Sequence, residues 1–379
     1  MRVLLYSHHF GPGSGGLATF SDGLAGSLRS AGATVRIATA TANTAAVERP
    51  WPVHWAVSAR EIIRLCRWAE VVHMNGFRAS VIGAAWLTRR PVVWTHHEYS
   101  FCPTGLGWWR DRDRSFALPQ CWACLQDRGY DRRAALRRIA ATAARIVSRR
   151  LVSAHTTTTH YMQRRLKLPA ASVIPLGVTV PSQLSPATTR HGEFTVIYVG
   201  RLIREKGVDV AIRAVAEARR QGATMRLEVV GDGPDRGVLE DLARRELPDS
   251  AWGFLGELTP DRALPQMQLA DAVIVPSVWS EPAGFVVIEA MALGVPVVAT
   301  DAGGIPELAH GAASLAPRSD ADAFAQALLE LMSNPGRASS MVEQGKSNAA
   351  AHSARQMATR YLQLYDALIR RPASDPANR

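Results

Sequence analysis

Short apolar runs alternate along this chain with stretches of helical periodicity, and this alternation limits the possible folds more than any other feature. The first run, residues 2–7 (RVLLYS), is followed by a Gly-rich turn (GPGSGG) and a helical stretch from Leu17 to about Ala31. Further β-branched runs lie at residues 34–38, 71–74 and 92–95, with helical segments such as 59–69 between them. Strands that alternate with helices predict a parallel sheet covered by helices on both faces.

The same alternation restarts in the second half, after a connection rich in Pro, Ser and Thr at residues 172–193. The predicted strands and helices of this second set are 194–200, 208–221, 225–231, 235–245, 252–256, 262–269, 272–276, 285–293 and 295–300. A length of 379 residues also suits two domains of ordinary size. In such folds ligands bind at the carboxyl ends of the strands, which we expect to face a cleft between the domains.

These observations predict an α/β fold of two doubly wound, Rossmann-like domains. The expected boundaries are an acceptor-side domain at 1–180, a linker at 181–192, a donor-binding domain at 193–355 and a terminal segment at 356–379. We expect that last segment to form a helix that packs back on the first domain, followed by a disordered tail.

Charge is unevenly distributed between the halves. The first 180 residues hold 24 Lys and Arg against 9 Asp and Glu, whereas the remainder holds 20 against 24. A basic domain attracts phosphates, anionic lipids or nucleic acid, but the motifs of a nucleic-acid binder are missing. We therefore expect phosphate-bearing ligands or an anionic acceptor, leave peripheral membrane contact open, and expect no nucleic acid partner.

Apolar runs in the sequence fall short of the roughly 20 residues that span a bilayer. The amino terminus, MRVLLYSHHF, lacks the small-residue cleavage site of a signal peptide. These features predict a cytoplasmic protein, with the inner face of the membrane as a place where it could act.

The segment from Ser280 to Glu307 (SEPAGFVVIEAMALGVPVVATDAGGIPE) is the most informative one. Glu281 lies in a loop after a strand, and Glu289 lies in the helix that follows. The first amides of that helix, near Gly284, Phe285 and Val286, could hold a diphosphate, because helix amino termini offer unpaired N–H groups and a positive dipole. A capped amphipathic helix with solvated glutamates is the structural alternative.

A second segment, VGRLIREKGVD, brings two cations close to the end of a strand. Arg201 follows the strand and Lys206 precedes a helix. Together they could neutralise the charge that grows on a departing diphosphate. The alternative is a surface pair bonded to Glu205 and Asp209.

Taken together, the second half resembles the donor-binding domain of the family 4 glycosyltransferases, which have the two-domain GT-B fold. The resemblance rests on Arg201, Lys206, GDGP at 231–234, FLG at 254–256 and the segment from Glu281 to Glu289, with IPLGV at 174–178 similar to the family's IPNGV. It implies that Glu281 binds the donor sugar, Glu289 the ribose, and Arg201 with Lys206 the diphosphate; the wider donor-binding set is Gly15, Gly16, Gly231, Gly256, Gly284, Phe285 and Val286. Ala283 stands where the family more often has Phe, which leaves the shape of the donor pocket open.

The first Gly-rich turn also spells the dinucleotide fingerprint GxGxxG with Gly11, Gly13 and Gly16. That fingerprint requires an acidic residue at the end of the second strand, and TVRIATATAN supplies none. A nicotinamide oxidoreductase is therefore disfavoured. The turn instead resembles the family's first glycine loop, where Gly15 and Gly16 let the backbone approach the donor phosphates or the acceptor.

His97 is the candidate catalytic residue of the first domain. It lies in VVWTHHEYS, just after a predicted strand, and alignment with the family's pattern places it on the family histidine, with Glu98 in place of an Asp. The resemblance implies that His97 hydrogen-bonds the donor sugar and stabilises developing positive charge. A purely structural histidine is the alternative.

Metal binding has only weak support in the sequence. Cys102, Cys121 and Cys124 could hold zinc if a fourth ligand such as His96 closed the site, but one CxxC with a distant Cys favours reduced thiols or a facultative disulfide. Asp111 and Asp113 form a DxD pattern among alternating arginines, which suits a solvated loop. The resemblance implies no resident cofactor and no essential Mg²⁺, with the nucleotide sugar as co-substrate.

Residues 129–151 predict a basic amphipathic helix with an apolar stripe at Leu136, Ile139, Ala143, Ile146 and Val147. Such a helix can lie on an anionic membrane, or its stripe can pack on the sheet. Both outcomes stay open at this point.

The expected function is that of a retaining glycosyltransferase with Glu281 and His97 as its catalytic residues. The donor would be a UDP- or GDP-sugar, and the acceptor a lipid, a polysaccharide or a small natural product. Two alternatives remain: a protein that binds a nucleotide sugar without transferring it, and a GT-B phosphorylase or hydrolase.

Overall fold

The structure is a computed structural model, and it describes residues 1–11, 16–42, 49–109, 112–113, 118–179 and 192–370. The chain divides into two compact units. The first comprises Met1–Gly177 together with Ser353–Arg379, and the second comprises Val178–His352. The second unit thus begins at Val178 and ends at His352, whereas the sequence placed its limits at 193 and 355.

The first unit is built on a parallel sheet of seven strands in the order β3-β2-β1-β4-β5-β8-β9. Its strands are β1 (Arg2–Ser7), β2 (Thr34–Thr39), β3 (Val53–His54), β4 (Val71–Asn75), β5 (Val92–His96), β8 (Ala154–Thr157) and β9 (Ser172–Val173), and β6 (Trp108–Trp109) and β7 (Arg112–Asp113) form a separate antiparallel pair. Its helices are α1 (Gly16–Ser30), α2 (Ala59–Trp68), α3 (Ala79–Leu87), α4 (Leu118–Asp127), α5 (Arg132–Ser148), α6 (His160–Arg165) and α14 (Ala354–Arg370).

The second unit is built on a parallel sheet of six strands in the order β12-β11-β10-β13-β14-β15. Its strands are β10 (Phe194–Val199), β11 (Met225–Val230), β12 (Trp252–Gly256), β13 (Ala272–Val275), β14 (Val297–Thr300) and β15 (Ser314–Ala316). Its helices are α7 (Val208–Arg220), α8 (Arg236–Glu246), α9 (Pro260–Leu269), α10 (Phe285–Leu293), α11 (Ile305–Ala309), α12 (Ala321–Ser333) and α13 (Pro335–Ala351).

Strand order reverses direction once in each sheet. The reversal lies between β1 and β4 in the first unit and between β10 and β13 in the second. Loops that leave the two central strands there diverge to opposite faces of the sheet, which opens a crevice at their carboxyl ends. Each unit therefore has a defined place at which to search for a ligand site. The predicted α/β class with two Rossmann-like units is confirmed.

β8 is a strand that the sequence did not predict, and half of its side chains are threonines. β8 has the sequence AHTT, yet its Thr156 and Thr157 are fully buried. Thr156 can lie there because its hydroxyl is 2.6 Å from that of Thr95 on the neighbouring strand. Buried side chains with satisfied hydrogen bonds leave no hydrophobic signal in a sequence.

α14 packs inside the first unit, where it buries two tyrosines. Tyr361 and Tyr365 are fully buried, and the Tyr361 hydroxyl is 3.0 Å from the Thr95 hydroxyl. The Tyr365 hydroxyl contacts Nδ1 of His73, whose Nε2 is 2.6 Å from the Thr95 hydroxyl. This network links the last described helix to the central strands β4 and β5.

Candidate active site

An ion pair lies at the carboxyl edge of the second sheet, where its strand order reverses. Nζ of Lys206, after β10, is 2.5 Å from Oε1 of Glu281, after β13. The Ser277 hydroxyl donates to the same oxygen at 2.7 Å. The Glu281 side chain is only 6% exposed, whereas that of Lys206 is 29% exposed. The lysine therefore keeps an open side from which a ligand anion can approach.

Gly207 allows the two loops of this pair to approach each other. It has a φ of 68°, and a Cβ at this position would lie 2.0 Å from the carbonyl oxygen of Pro276. The amide of Val278 also donates to the carbonyl of Glu205 at 3.0 Å. These contacts fix Lys206 and Glu281 relative to each other through their backbones.

The backbone of Glu281 is held from the other side by a pair of glycines after β14. The Gly304 amide donates to the Glu281 carbonyl at 2.7 Å. Gly303 has a φ of 67°, and a Cβ on it would lie 2.3 Å from that same carbonyl oxygen. This packing explains why the position of Gly303, after β14, requires a glycine.

α10 begins directly beyond Glu281 and presents its amino terminus at this edge. Gly284 is its N-cap residue, and no side chain caps the helix. Phe285 and Val286 occupy the first turn, where backbone N–H groups have no partner within the helix. The helix dipole adds positive potential here, which makes this terminus suitable for a phosphate.

Glu289 lies on α10, one turn further along the helix. Burial raises the pKa of its carboxyl to about 7. Within the part of the chain that the structure describes, no hydrogen bond or ion pair reaches this side chain. A partly buried carboxyl without a partner is a suitable acceptor for ligand hydroxyls.

Arg201 and the predicted glycines line the same edge of the sheet. Arg201 is exposed, and its carbonyl accepts a hydrogen bond from the buried Tyr198 hydroxyl at 2.9 Å. Gly231 has a φ of 133° and donates its amide to the Gly256 carbonyl at 2.7 Å, and a Cβ on it would lie 1.9 Å from the carbonyl oxygen of Gly200. The glycines therefore let the strand ends pack closely, and the structure brings Lys206 and Glu281 together without a contact between Arg201 and either of them.

In the first unit, His97 directly follows β5 and forms a hydrogen bond with Asn75. Its Nε2 is 3.1 Å from Oδ1 of Asn75, which ends β4. The Asn75 amide in turn donates to the Ser21 hydroxyl at 3.1 Å, which assigns Oδ1 as the acceptor and places the His97 proton on Nε2. Burial lowers the pKa of His97 to about 3, so the ring is neutral near pH 7. Its Nδ1 lone pair is then available to accept a hydrogen bond.

The neighbours of His97 differ in their surroundings. His96 is buried and bonds to Ser100 and His155, so its role is structural. Glu98 is exposed. Gly16 begins α1, whereas Gly13 and Gly15 lie outside the described residues.

The weak zinc candidate gains no support. None of the four cysteines, all within the described ranges, is in a disulfide, and the Cys102 thiol lies 3.2 Å from the Thr104 hydroxyl. Among the residues that the structure describes, no group of three His, Cys, Asp or Glu side chains could hold a metal ion. His96 cannot complete a cysteine site, because both of its ring nitrogens already have partners. Asp111 lies outside the described residues, and Asp113 lies in β7.

Two contributors to these sites, Ser277 and Asn75, were missed from the sequence. Each is a polar residue at or just past the end of a buried apolar strand, in AVIVPS and in VVHMN. That position was the available signal. Their partners come from different strands, so the contacts depend on a strand order that the sequence does not state.

Comparison with solved structures defines the fold. The Anabaena protein HepE, in complex with UDP and glucose, superposes with a TM-score of 0.73 at 18% identity, covering 97% of this chain and 100% of that one. Sucrose-phosphate synthase from Thermosynechococcus elongatus gives a TM-score of 0.69 at 20% identity, covering 97% and 99%. The fold is therefore GT-B.

Comparison of sequences finds relatives of the second half of the chain. Residues 183–348 match the family described as "Glycosyl transferases group 1". Glycogen synthase from Mycobacterium tuberculosis (strain CDC 1551 / Oshkosh) is 36% identical over 152 residues, which are 39% of this chain and 36% of that protein. D-inositol 3-phosphate glycosyltransferase from Corynebacterium urealyticum is 35% identical over 191 residues, 48% of this chain and 45% of that protein.

The match to the group 1 glycosyl transferases covers residues 183–348 and lies within the second unit. The resemblance drawn from Arg201, Lys206 and the segment from Glu281 to Glu289 is thus confirmed at the level of the family. The chain matches less than half the length of these curated relatives. The roles of individual residues remain predictions.

Proposed function

We propose that the protein is a glycosyltransferase that moves a sugar from a nucleotide diphosphate sugar to an acceptor, with retention at the anomeric carbon. The observation that carries this proposal is the Lys206–Glu281 pair beside the amino terminus of α10. Relatives of this family named as glycosyltransferases, and the UDP and glucose bound by HepE, support a nucleotide-sugar donor. The donor would be a UDP- or GDP-sugar.

The diphosphate would bind to Lys206, Arg201 and the amides of Phe285 and Val286. As the bond between the anomeric carbon and the phosphate oxygen breaks, negative charge grows on that oxygen, and these positive groups stabilise it. Glu281 would orient the sugar hydroxyls, and Glu289 would accept hydrogen bonds from the ribose. The main contributions are positioning and electrostatics.

Retention would follow a front-face route. The acceptor oxygen bonds to the anomeric carbon on the side from which the phosphate leaves, and the acceptor proton passes to the departing phosphate oxygen. The neutral ring of His97 could accept a hydrogen bond from a sugar hydroxyl at Nδ1. This role needs no resident metal ion, and we expect Mg²⁺ to be dispensable.

The test begins with a thermal-shift screen of nucleoside diphosphates, because a ligand that binds only the folded state raises the melting temperature. The nucleotide sugar selected in this way is then incubated with the protein, with and without candidate lipid, polysaccharide and small-molecule acceptors. Nucleotide release that depends on an acceptor supports transfer, and release without one indicates a hydrolase. Binding with no release under any condition would show a nucleotide-sugar-binding protein instead.

We also propose that the first unit contacts anionic membranes through α5. In the structure the predicted apolar stripe is largely exposed, with Leu136, Ile146 and Val147 at 58%, 40% and 70% exposure. The buried residues of α5 are Ala135 and Thr142, which lie outside that stripe. No Asp or Glu occurs in the sequence between Asp131 and Glu193, while arginines flank the exposed residues. An apolar stripe bordered only by cations suits the interface of an anionic bilayer.

No helix in the described ranges is long and apolar enough to cross a membrane, so the proposed contact is peripheral. Replacing Leu136 and Val147 by Gln should abolish cosedimentation with vesicles of phosphatidylglycerol, and salt should weaken it. Val238→Gln is the matched control, because Val238 is also 70% exposed but lies on α8 of the second unit. Equal binding by all three proteins would contradict the membrane proposal.

A further inference from the structure

We propose that Arg78 and Arg145 form a binding subsite for a phosphate group in the first unit. The subsite lies at the carboxyl edge of the sheet, where the strand order reverses between β1 and β4. If the protein is the glycosyltransferase proposed above, this phosphate belongs to the acceptor. That assignment rests on the proposed function, but phosphate binding itself can be tested without it.

Close packing of two strand ends builds the subsite. His8 follows β1, and its amide donates to the Asn75 carbonyl at the end of β4 at 3.4 Å. Gly76 comes next, with a φ of 125°, and a Cβ on it would lie 2.8 Å from the Cβ of His8. The chain then leaves β4 and reaches Arg78, the N-cap residue of α3. His8 and Arg78 are thereby brought to the same edge.

Two guanidinium groups converge at this edge from different elements. The Arg78 guanidinium carbon is 5.8 Å from the centre of the Tyr6 ring, and the Tyr6 hydroxyl is 3.2 Å from Nδ1 of His8. Arg145, from α5, lies 5.8 Å from the centre of the Phe77 ring. Burial lowers the pKa of His8, and the charges of His9, Arg145 and Arg78 lower it further.

Neither arginine has a carboxylate partner within the described residues. Arg78 donates to the Val57 carbonyl at 2.9 Å, and Arg145 donates to the Ser100 carbonyl at 3.3 Å. Nη1 of Arg78 and Nε of Arg145 are buried with no hydrogen-bond partner among those residues. A buried N–H group that lacks a partner costs free energy, and an oxyanion would satisfy both groups at once.

The other charged groups near this edge leave an excess of positive charge. Arg138 and His9 are exposed, and their charges together with that of Arg145 act on Glu98. Glu98 points toward the turn at Gly105, where a Cβ would lie 2.8 Å from its Oε2. With Arg78, this edge therefore holds three arginines against one carboxylate. This balance favours a phosphate dianion over a neutral ligand.

The position of the subsite connects it to the predicted catalytic residue. Asn75 bonds to His8 through its carbonyl and to His97 through its side chain. A phosphate held by Arg78 and Arg145 would thus lie one strand end away from His97. That is a suitable place for the charged part of an acceptor whose hydroxyl must approach the donor sugar.

The test measures binding of glycerol 3-phosphate and inorganic phosphate to the full chain without nucleotide, by calorimetry and phosphorus NMR. Arg78→Gln and Arg145→Gln should each weaken binding at least about tenfold, the loss expected for a charge-assisted hydrogen bond. Arg137→Gln, an exposed arginine on α5, carries the same charge change and should leave binding unchanged. Arg145→Lys keeps the positive charge but loses the planar guanidinium, so it should weaken binding less than Arg145→Gln. This variant also serves as a control in case Arg145→Gln does not fold.

The Lys206→Gln variant separates this inference from the proposed donor site. If phosphate binding survives in Lys206→Gln and is lost in Arg78→Gln, the first-unit subsite is supported whether or not transfer is ever observed. Loss in Lys206→Gln with retention in Arg78→Gln would overturn it, because the phosphate would then occupy the donor site. Equal binding by all variants would overturn it as well.

A competition experiment between glycerol 3-phosphate and lipid vesicles identifies the source of the phosphate. Vesicles that contain phosphatidic acid, which has the same head group as glycerol 3-phosphate, should displace it if the acceptor is a lipid. Absence of displacement, with glycerol 3-phosphate still bound through Arg78, would indicate a water-soluble phosphorylated acceptor. Displacement that is undiminished in Arg78→Gln would contradict the assigned residues.

Discussion

At the scale of single residues, the Lys206–Glu281 pair joins a buried carboxylate to a partly exposed ammonium group. Glu281 is almost enclosed and holds Lys206 in place, while Ser277 satisfies the same oxygen. Without Lys206, the carboxylate would remain buried with its counter-charge gone, which typically costs several kcal/mol. Removal of Glu281 instead leaves a lysine that can turn toward water. The two residues should therefore respond differently to substitution.

Glu281→Gln and Lys206→Gln are both expected to lower the rate of sugar transfer by at least about a hundredfold, because each removes a charge from the proposed site of bond breaking. Only Lys206→Gln should also lower the free energy of unfolding substantially. Transfer assays and urea unfolding measure the two effects. Arg213→Gln, which breaks the exposed pair with Asp209, is the control and should change neither. Full activity in either site variant would remove these residues from the mechanism.

Glu289 is expected to couple nucleotide binding to pH. With a pKa raised to about 7, the free protein holds this carboxyl partly protonated near neutrality. Ribose hydroxyls that donate hydrogen bonds to the Glu289 carboxyl favour its ionised form, so nucleotide binding releases a proton. Nucleotide affinity should therefore rise by up to about tenfold per pH unit as the pH increases toward 7, and then level off. Calorimetry in buffers of different ionisation enthalpy measures the proton release. Glu289→Gln should bind with no such dependence, and an unchanged pH profile in that variant would exclude the role.

At the scale of elements, both candidate sites are made by loops that leave neighbouring parallel strands. The strands and helices of the second unit from β10 to β14 could be predicted from the sequence because their apolar periodicity is strong, and α10 was predicted with its observed bounds, Phe285–Leu293. The elements from α11 to α13 were not predicted. The contacts of Ser277 and Asn75 could not be predicted from the sequence, because they depend on which strands are neighbours in the sheet. β8 could not either, because Thr156 and Thr157 satisfy their buried hydroxyls through tertiary contacts.

Gly207 and Gly222 provide a matched pair for the loop geometry. Both have positive φ, 68° and 94°, but a Cβ on Gly207 would collide with Pro276, whereas a Cβ on Gly222 would meet open space. Gly222→Ala should cost about 1 kcal/mol of stability from backbone strain alone. Gly207→Ala should cost clearly more and also lower nucleotide affinity, because it moves Lys206 away from Glu281. Urea unfolding and calorimetry of both variants give the comparison, and equal effects would show that the loop contact is unimportant.

At the scale of the whole molecule, the chain returns to its first unit after completing the second. α14 packs in that unit through Tyr361 and Tyr365. Their hydroxyls form hydrogen bonds with the buried side chains of Thr95 and His73. Burial lowers the pKa of His73 to about 3. The folded protein therefore keeps this imidazole neutral at pH values where the unfolded chain binds a proton.

This network is expected to make the first unit sensitive to acid. Stability from neutral His73 is present above pH 6.5 and is lost as pH falls toward 3, at roughly 1.4 kcal/mol per pH unit. His73→Gln should lower stability at pH 7 but also reduce the slope of unfolding free energy between pH 7 and pH 5. His160→Gln, at an exposed position, should keep the slope of the natural protein. An identical slope in the His73 variant would contradict the assigned protonation state.

A crystal structure of the protein with a nucleoside diphosphate tests the central claim most directly. The account predicts the pyrophosphate within about 3 Å of Nζ of Lys206 and of the first amides of α10, with the ribose hydroxyls on Glu289. A nucleotide bound elsewhere, with the Lys206–Glu281 pair untouched, would contradict it.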